Sequence, residues 1–247
     1  MAAAVAVAVV YCYNESKPIY KENLQFFLRN CYRPDDGITY VFVVNGTLTV
    51  GLPKTAKVIM RENTGWDFAA YGVGIRWLLA KEIPFNHVFF VNCSARGAFI
   101  PPYLGDSVAW YDPFLSVFTC FPEILAVSPT VFVRDGVKSV HSYMFVLTRD
   151  AILKLDAVGF WNRLHRDRYD MIQYQYHDMC KILEGRVKSM VAEDLKSDMA
   201  LAEGTDISFP YRCFCRTIHP YEAIFIKTTH MLAESELASL SKIYMLP

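Results

Sequence analysis

Six small polar side chains punctuate the first hundred residues: Asn14, Asn45, Asn63, Asp67, Asn92 and Ser94. Asn14, Asn45 and Asn92 directly follow or close a short apolar run, and Asn63 and Asp67 bracket Gly65 ahead of a periodic segment. Asparagine and aspartate carry donors and acceptors on short, rigid stems, so a group of them suits a polar ligand fixed by many hydrogen bonds. Asn14, Asn45 and Asn92 also begin Asn-x-Ser/Thr sequons. A glycan there would cover the strand ends, so these residues are read as ligand-facing and not as glycan acceptors.

Such side chains need strand exits to hold them. Residues 4–12, Thr39–Val44, Lys57–Met60 and His87–Val91 are apolar runs rich in β-branched and aromatic residues and read as four strands. Residues 20–31 form an amphipathic helix with Leu24, Phe27, Leu28 and Cys31 on one face. After the third strand, Thr64 and Asp67 have capping-box spacing. Trp66, Ala70, Val73 and Trp77 then fall on one helical face, and both tryptophans are read as core. Strands alternating with helices predict a mostly parallel α/β sheet. Ligands of such sheets bind at the carboxyl ends of the strands, and a helix N-terminus there favours an anion.

The remainder is less regular. Strands are expected at Ile124–Val127, Val131–Val133, His141–Thr148 and Pro220–Lys227, and helices at Arg149–Leu155, 171–184 and 234–243. The stretch from Pro101 to Pro113 reads as an aromatic-rich loop. A single domain of 247 residues is expected, with a ligand-binding half over 1–97 and a second half over 98–247.

Composition narrows the function. Twenty-five basic residues balance 25 acidic ones, which argues against a nucleic-acid scaffold. No apolar run reaches the ~20 residues that span a bilayer. The Ala/Val-rich start lacks a basic leader segment and reads as a buried strand. Seven cysteines in no framework spacing point to a reducing, cytoplasmic setting. Cys213-Phe-Cys215 is too short for a zinc knuckle, and His141, His177 and His219 lack zinc-site spacing, so no metal centre is expected. The first loop, Tyr13-Asn14-Glu15-Ser16, has no glycine, which argues against a dinucleotide or methyl-donor fold.

Taken together, Tyr13-Asn14-Glu15, Asn45, Asn63-x-Gly65-x-Asp67 and Asn92-Cys93-Ser94 resemble the nucleotide-sugar-binding half of GT-A-type glycosyltransferases. The runs Glu62-Asn-Thr-Gly-Trp-Asp-Phe-Ala-Ala-Tyr-Gly72 and Phe90-Val-Asn-Cys-Ser-Ala-Arg-Gly-Ala-Phe-Ile-Pro101 are more closely similar to a branch related to rhamnan-synthesis proteins. His141-Ser-Tyr-Met144 and His219-Pro-Tyr-Glu-Ala-Ile-Phe-Ile-Lys-Thr228 extend that resemblance over nearly the whole chain. Similar domains occur in algae, fungi, bacteria and large DNA viruses.

The resemblance implies a GT-A-like, Rossmann-like sheet that transfers a hexosyl or deoxyhexosyl group from a nucleotide-sugar donor to a glycan or polysaccharide hydroxyl. Donor contacts fall on Tyr13, Asn14, Asn45, Asn63, Gly65, Asp67, Asn92, Ser94 and Arg96, with Tyr13 stacking on the base. His141, and Ser142 and Trp110 with it, fall on the acceptor side. If the transfer inverts the anomeric centre, Asp178 is the expected general base, with His177 second and His141 a further catalytic candidate; if it retains configuration, no base is required and Asp178 only positions the acceptor. One departure stands out. The Asp-x-Asp of this fold, which holds Mg²⁺ or Mn²⁺, is replaced by Asn92-Cys93-Ser94, and neutral ligands suit those hard cations poorly. Arg96 is expected to carry the missing charge onto the diphosphate. Asp106 and Asp112 are the fallback ligands if a cation is used, and Lys227 is a further phosphate candidate. The alternative reading is a non-catalytic nucleotide-sugar or glycan-binding domain.

Overall fold

The computed structural model describes residues 6–164, 167, 177–197 and 200–245. Its centre is a seven-stranded sheet in the order β10-β6-β9-β4-β1-β2-β3. The strands are β1 (Val7–Tyr13), β2 (Thr39–Asn45), β3 (Lys57–Arg61), β4 (His87–Asn92), β6 (Ala126–Ser128), β9 (Met144–Thr148) and β10 (Val187–Ser189). Among them β9 alone runs against its neighbours. The others pair in parallel where they are adjacent. The mixed α/β architecture with a mostly parallel sheet is therefore present, and the sheet draws strands from both halves of the chain.

β1 is buried along its entire length, as a strand covered on both faces must be. Its side chains alternate between two layers. Helix α1 (Pro18–Asn30) lays Phe27 against Tyr11, with ring centroids 4.9 Å apart. Helix α2 (Trp66–Ala80) covers the other face, where Tyr71 meets Phe90 edge-on at 5.2 Å. Gly74 permits that approach: a Cβ there would lie 2.4 Å from Val10 Cγ1. Phe90, Phe145 and Trp161 then stack as a continuous aromatic column.

The buried face of α2 differs from the expected one. Phe68, Tyr71, Ile75 and Leu78 face the sheet, whereas Trp66, Val73 and Trp77 are half-buried. The small residues Ala70 and Gly74 fit both stripes, and the bulk of the aromatics decides between them. The Thr64–Asp67 capping box is also absent. The N-cap is Gly65, in the left-handed region at φ 70°, which has no side chain to cap with, and in the first turn Asp67 Oδ1 takes the Phe68 N–H. Trp66 follows at φ 53°.

Several elements of the second half depart from expectation. The run 141–148 is split: β8 (Val137–Val140) pairs with β7 (Val131–Arg134), residues 141–143 turn, and β9 begins at Met144. Pro220–Lys227 is not one strand. Pro220 starts a short helix to Ala223, with His219 Nδ1 accepting the Tyr221 N–H, and β11 (Ile226–Lys227) pairs antiparallel with β5 (Ala95–Arg96). The 101–113 loop leads into helix α3 (Asp112–Cys120). Helix α4 (Arg149–Ala157) is capped by Thr148, whose hydroxyl accepts from the Ala151 N–H. Of the expected 171–184 helix, His177–Ile182 is helical and residues 171–176 lie outside the described ones, as do residues 4 and 5 of the first strand. The terminal helix spans Glu234–Ile243. No helix among the described residues is long and apolar enough to cross a membrane.

Candidate functional site

Strand order reverses at β1: β2 and β3 continue on one side and β4 lies on the other. In an open α/β sheet that reversal leaves a crevice beyond the strands' carboxyl ends. Here it opens as a cleft of about 670 Å³. Cys12 and Asn14 leave β1 into it, Asn45 closes β2, Asn63 follows β3, and Asn92, Cys93 and Ser94 follow β4. Because β9 is antiparallel to β4 with Met144 opposite Val91, its entry lies at the same edge and brings Ser142 there. Helices α1 and α2 both begin at the cleft, since Ser16, Lys17 and Trp66 line it.

Asp67 organises the floor. Its Oδ2 accepts from Asn92 Nδ2 at 2.9 Å and from Ser142 Oγ at 2.6 Å, and its Oδ1 accepts the Phe68 N–H at 3.0 Å. Asn92 Oδ1 in turn accepts from the Ser94 N–H and hydroxyl. One carboxylate thus ties the start of α2 to the ends of β4 and β9. Burial raises the Asp67 pKa above the usual carboxylate value, while the Ser142 and Asn92 hydrogen bonds and the Lys227 charge pull it back. Asn45 is held from behind, its Oδ1 accepting from Arg61 Nη1 at 2.8 Å.

The opposite wall comes from the last forty residues. Phe209, Lys227, Thr229 and His230 line it. The His230 ring lies flat on Phe209, with centroids 4.1 Å apart and planes 14° from parallel. Burial, with Lys227 nearby, lowers the His230 pKa to about 4. Among the described lining residues two lysines, Lys17 and Lys227, face a single carboxylate, Asp67. That balance favours an anionic ligand.

The cleft unites Asn14, Asn45, Asn63, Asp67, Asn92, Ser94 and Ser142 of the expected residues. Lys227, the further phosphate candidate, lines it as well, and the other expected residues lie elsewhere. Tyr13 is fully buried in the core, so its ring has no free face for a base. Arg96 is 6% exposed, and its guanidinium is spent elsewhere: Nε donates to Asn23 Oδ1, Nη1 to Ser241 Oγ and Nη2 to Glu22 Oε2. It stitches β5 to α1 and the C-terminal helix. Trp110 is buried, with Nε1 donating to the Cys31 carbonyl. Asp178 pairs with Arg163 at 3.0 Å, His177 is buried beside Asp135, and neither lines the cleft. His141 stands behind the far wall, its Nε2 3.0 Å from Asp206 Oδ1. Gly65 shapes the turn without lining the cleft.

Trp66, read from sequence as core, lines the cleft together with Tyr20 and Lys17. Cys12, Ser16, Cys93, Phe209, Thr229 and His230 are the other lining residues that the sequence reading missed. Asp67 is the one carboxylate among the described lining residues and it already accepts three hydrogen bonds, so these side chains do not fit a hard divalent cation. No group of three His, Cys, Asp or Glu side chains suited to a metal occurs among the described residues. Asp112 accepts the Ala109 N–H at the start of α3 and does not line the cleft, and the Asp106 side chain lies outside the description.

No protein-family model matches the chain, and no curated protein sequence does. Solved structures with a similar course include a mannosyltransferase, PcManGT, from Pyrobaculum calidifontis in complex with GDP-Man and Mn²⁺ (17% identity, TM-score 0.36, 62% of this chain and 46% of that one). The chain thus spans under half of that protein's length. A197 from STIV matches at 8% identity and TM-score 0.40 over 75% of this chain and 81% of that one. A glycosyltransferase involved in glycosylation of the major capsid of PBCV-1 matches at 10% identity and TM-score 0.47 over 96% and 99%. At these scores and identities the likenesses assign no function.

Proposed function

We propose that the protein is a glycosyltransferase that binds a nucleotide-sugar donor in the cleft and passes its hexosyl or deoxyhexosyl group to a glycan or polysaccharide hydroxyl. The observation that carries this reading is the convergence of the exits of β1, β2, β3 and β4 and the starts of α1 and α2 on one polar cleft with two lysines. The sequence resemblance to GT-A-type enzymes supports it.

Asn14, Asn45 and Asn63 offer the donors and acceptors that a base and ribose require. Tyr20, Trp66 and Phe209 offer the aromatic faces that Tyr13 does not. Lys227 and Lys17, aided by the two helix starts, would hold the diphosphate and stabilise charge as it departs. In this reading transfer proceeds without a divalent cation, and lysine supplies the charge expected of Arg96. Rate enhancement then comes from positioning and from electrostatic stabilisation of the leaving group.

The lone, fully engaged carboxylate also favours a second reading, a binding domain without turnover. Calorimetry with uridine, guanosine, thymidine and adenosine diphosphates tests the first step. Binding of one of them, weakened in Lys227→Met and unaffected by chelator, is expected. No binding by any of the four removes the reading. Binding without release of diphosphate from any matching nucleotide sugar would favour the second.

A further inference from the structure

We propose that His230 is the general base of the transfer, presented to the acceptor by a relay through Ser208 to Asp206; this rests on the glycosyltransferase reading of the cleft. Asp178 and His177 lie outside the cleft, so the expected proton acceptor has to be found elsewhere. His230 lines the cleft, and its two ring nitrogens can be told apart from their partners.

Ser208 Oγ lies 2.6 Å from Asp206 Oδ1 and 3.0 Å from His230 Nε2. The carboxylate can only accept, so the single hydroxyl proton goes to Asp206. Ser208 Oγ must then accept from His230 Nε2–H. In the neutral ring this leaves the lone pair on Nδ1, which accepts from Thr229 Oγ1 at 3.1 Å. Thr229 is exposed and also lines the cleft. Turning its hydroxyl away leaves Nδ1 open to an acceptor. The stack on Phe209 fixes the ring plane. Asp206 is itself anchored, since Oδ1 also accepts the Ser208 N–H and meets His141 Nε2 at 3.0 Å. Burial opposes its ionisation, but the contact with His141 and the two hydrogen bonds from Ser208 outweigh this, and its pKa lies well below the usual carboxylate value.

In the step, the acceptor hydroxyl gives its proton to His230 Nδ1. Its oxygen forms the new bond to the anomeric carbon, and the bond from that carbon to the diphosphate breaks, its electron pair leaving on the diphosphate. The outcome is inversion at that carbon. The imidazolium formed is balanced through Ser208 by the Asp206 carboxylate. The charged and titratable groups facing His230 are Lys227, Asp206 and His141. Lys227 disfavours the protonated ring, so a diphosphate seated on Lys227 raises the basicity of His230 when the donor is in place.

Turnover of the matching nucleotide sugar, read across pH as nucleoside diphosphate released when the glycosyl group passes to acceptor or water, tests the assignment. His230→Gln is expected to slow turnover by ~10²-fold or more and to abolish the acid limb, while nucleoside diphosphate affinity stays within a few-fold. Ser208→Ala is expected to shift the acid limb to lower pH, and Ser208→Thr to restore it, which a merely structural role would not do. In the wild type, the His230 imidazole resonance is expected to titrate at higher pH once the nucleoside diphosphate is added, a readout that needs no variant. Full turnover by His230→Gln with donor bound, or a His230 titration indifferent to the diphosphate, would overturn the assignment while leaving the cleft reading intact. A wild type that binds no nucleoside diphosphate would overturn both.

Discussion

The two walls of the cleft are built on different principles. The wall from the first half is a set of strand exits. Asn14, Asn45 and Asn92 are where they are because β1, β2 and β4 run parallel in register and end at one edge. The far wall, Phe209 to His230, is mostly irregular chain, tied down by the two-residue pairing of β11 with β5 and by side-chain bonds such as Ser208–Asp206 and Asp206–His141. The near wall is therefore set by a long backbone ladder, the far wall by a two-residue pairing and a handful of polar contacts. The strand exits should set recognition of the base and ribose, while the far wall supplies the Lys227 charge on the diphosphate and the His230 base.

Asp67→Ala tests that division most severely. It strands the Asn92 and Ser142 donors, each costing about 1–3 kcal/mol, so loss of nucleotide binding and a lower Tm are expected together. Arg96→Ala should lower stability by about 3 kcal/mol through the lost contacts to Asn23, Ser241 and Glu22, with nucleotide affinity per folded molecule unchanged. A selective loss of affinity there would return Arg96 to the site. Gly74→Ala forces a methyl group onto Val10 and should cost about 1–3 kcal/mol in chemical denaturation, sparing the far wall.

Acid should loosen the fold in a defined window. Burial lowers the pKa of His87 and of His230 from 6.5 to about 4. A folded-state pKa below the unfolded value means the unfolded chain takes up protons first, so stability is full above pH 6.5 and falls as pH drops toward 4. A Tm that stays flat or rises over that range would contradict the burial of both rings. The smallest expected effect is that of Asp178→Asn. It removes a half-exposed ion pair with Arg163, worth about 0–1 kcal/mol, and leaves turnover intact.

How far the sequence was readable follows the same division. The first four strands and the presence of two helices were legible because apolar runs and turns are local signals, whereas the buried face of α2 was not, since its small residues fit two stripes. Asn63 and Asp67 were legible because they flank a turn before a helix. Arg96 was misread because its environment comes from Glu22, Asn23 and Ser241, far away in sequence, and from a two-residue pairing with β11. Tyr13 was misread because a strand's last side chain faces the core or the cleft depending on one step of register. The late start of β9, at Met144 and not at 141, left little trace in the sequence. His230 had no periodic context at all, and only the pairing of Ser208 with Asp206 gives it a role. His219-Pro220 was a usable helix start, since proline at the first helical position is favourable.

The most direct test is calorimetric titration of nucleoside diphosphates into the wild type and Lys227→Met, with Arg96→Lys beside them and chelator present throughout. Saturable binding by the wild type and Arg96→Lys is expected, with marked weakening in Lys227→Met. Absence of binding by the wild type, or binding that Lys227→Met leaves untouched, would contradict the glycosyltransferase reading.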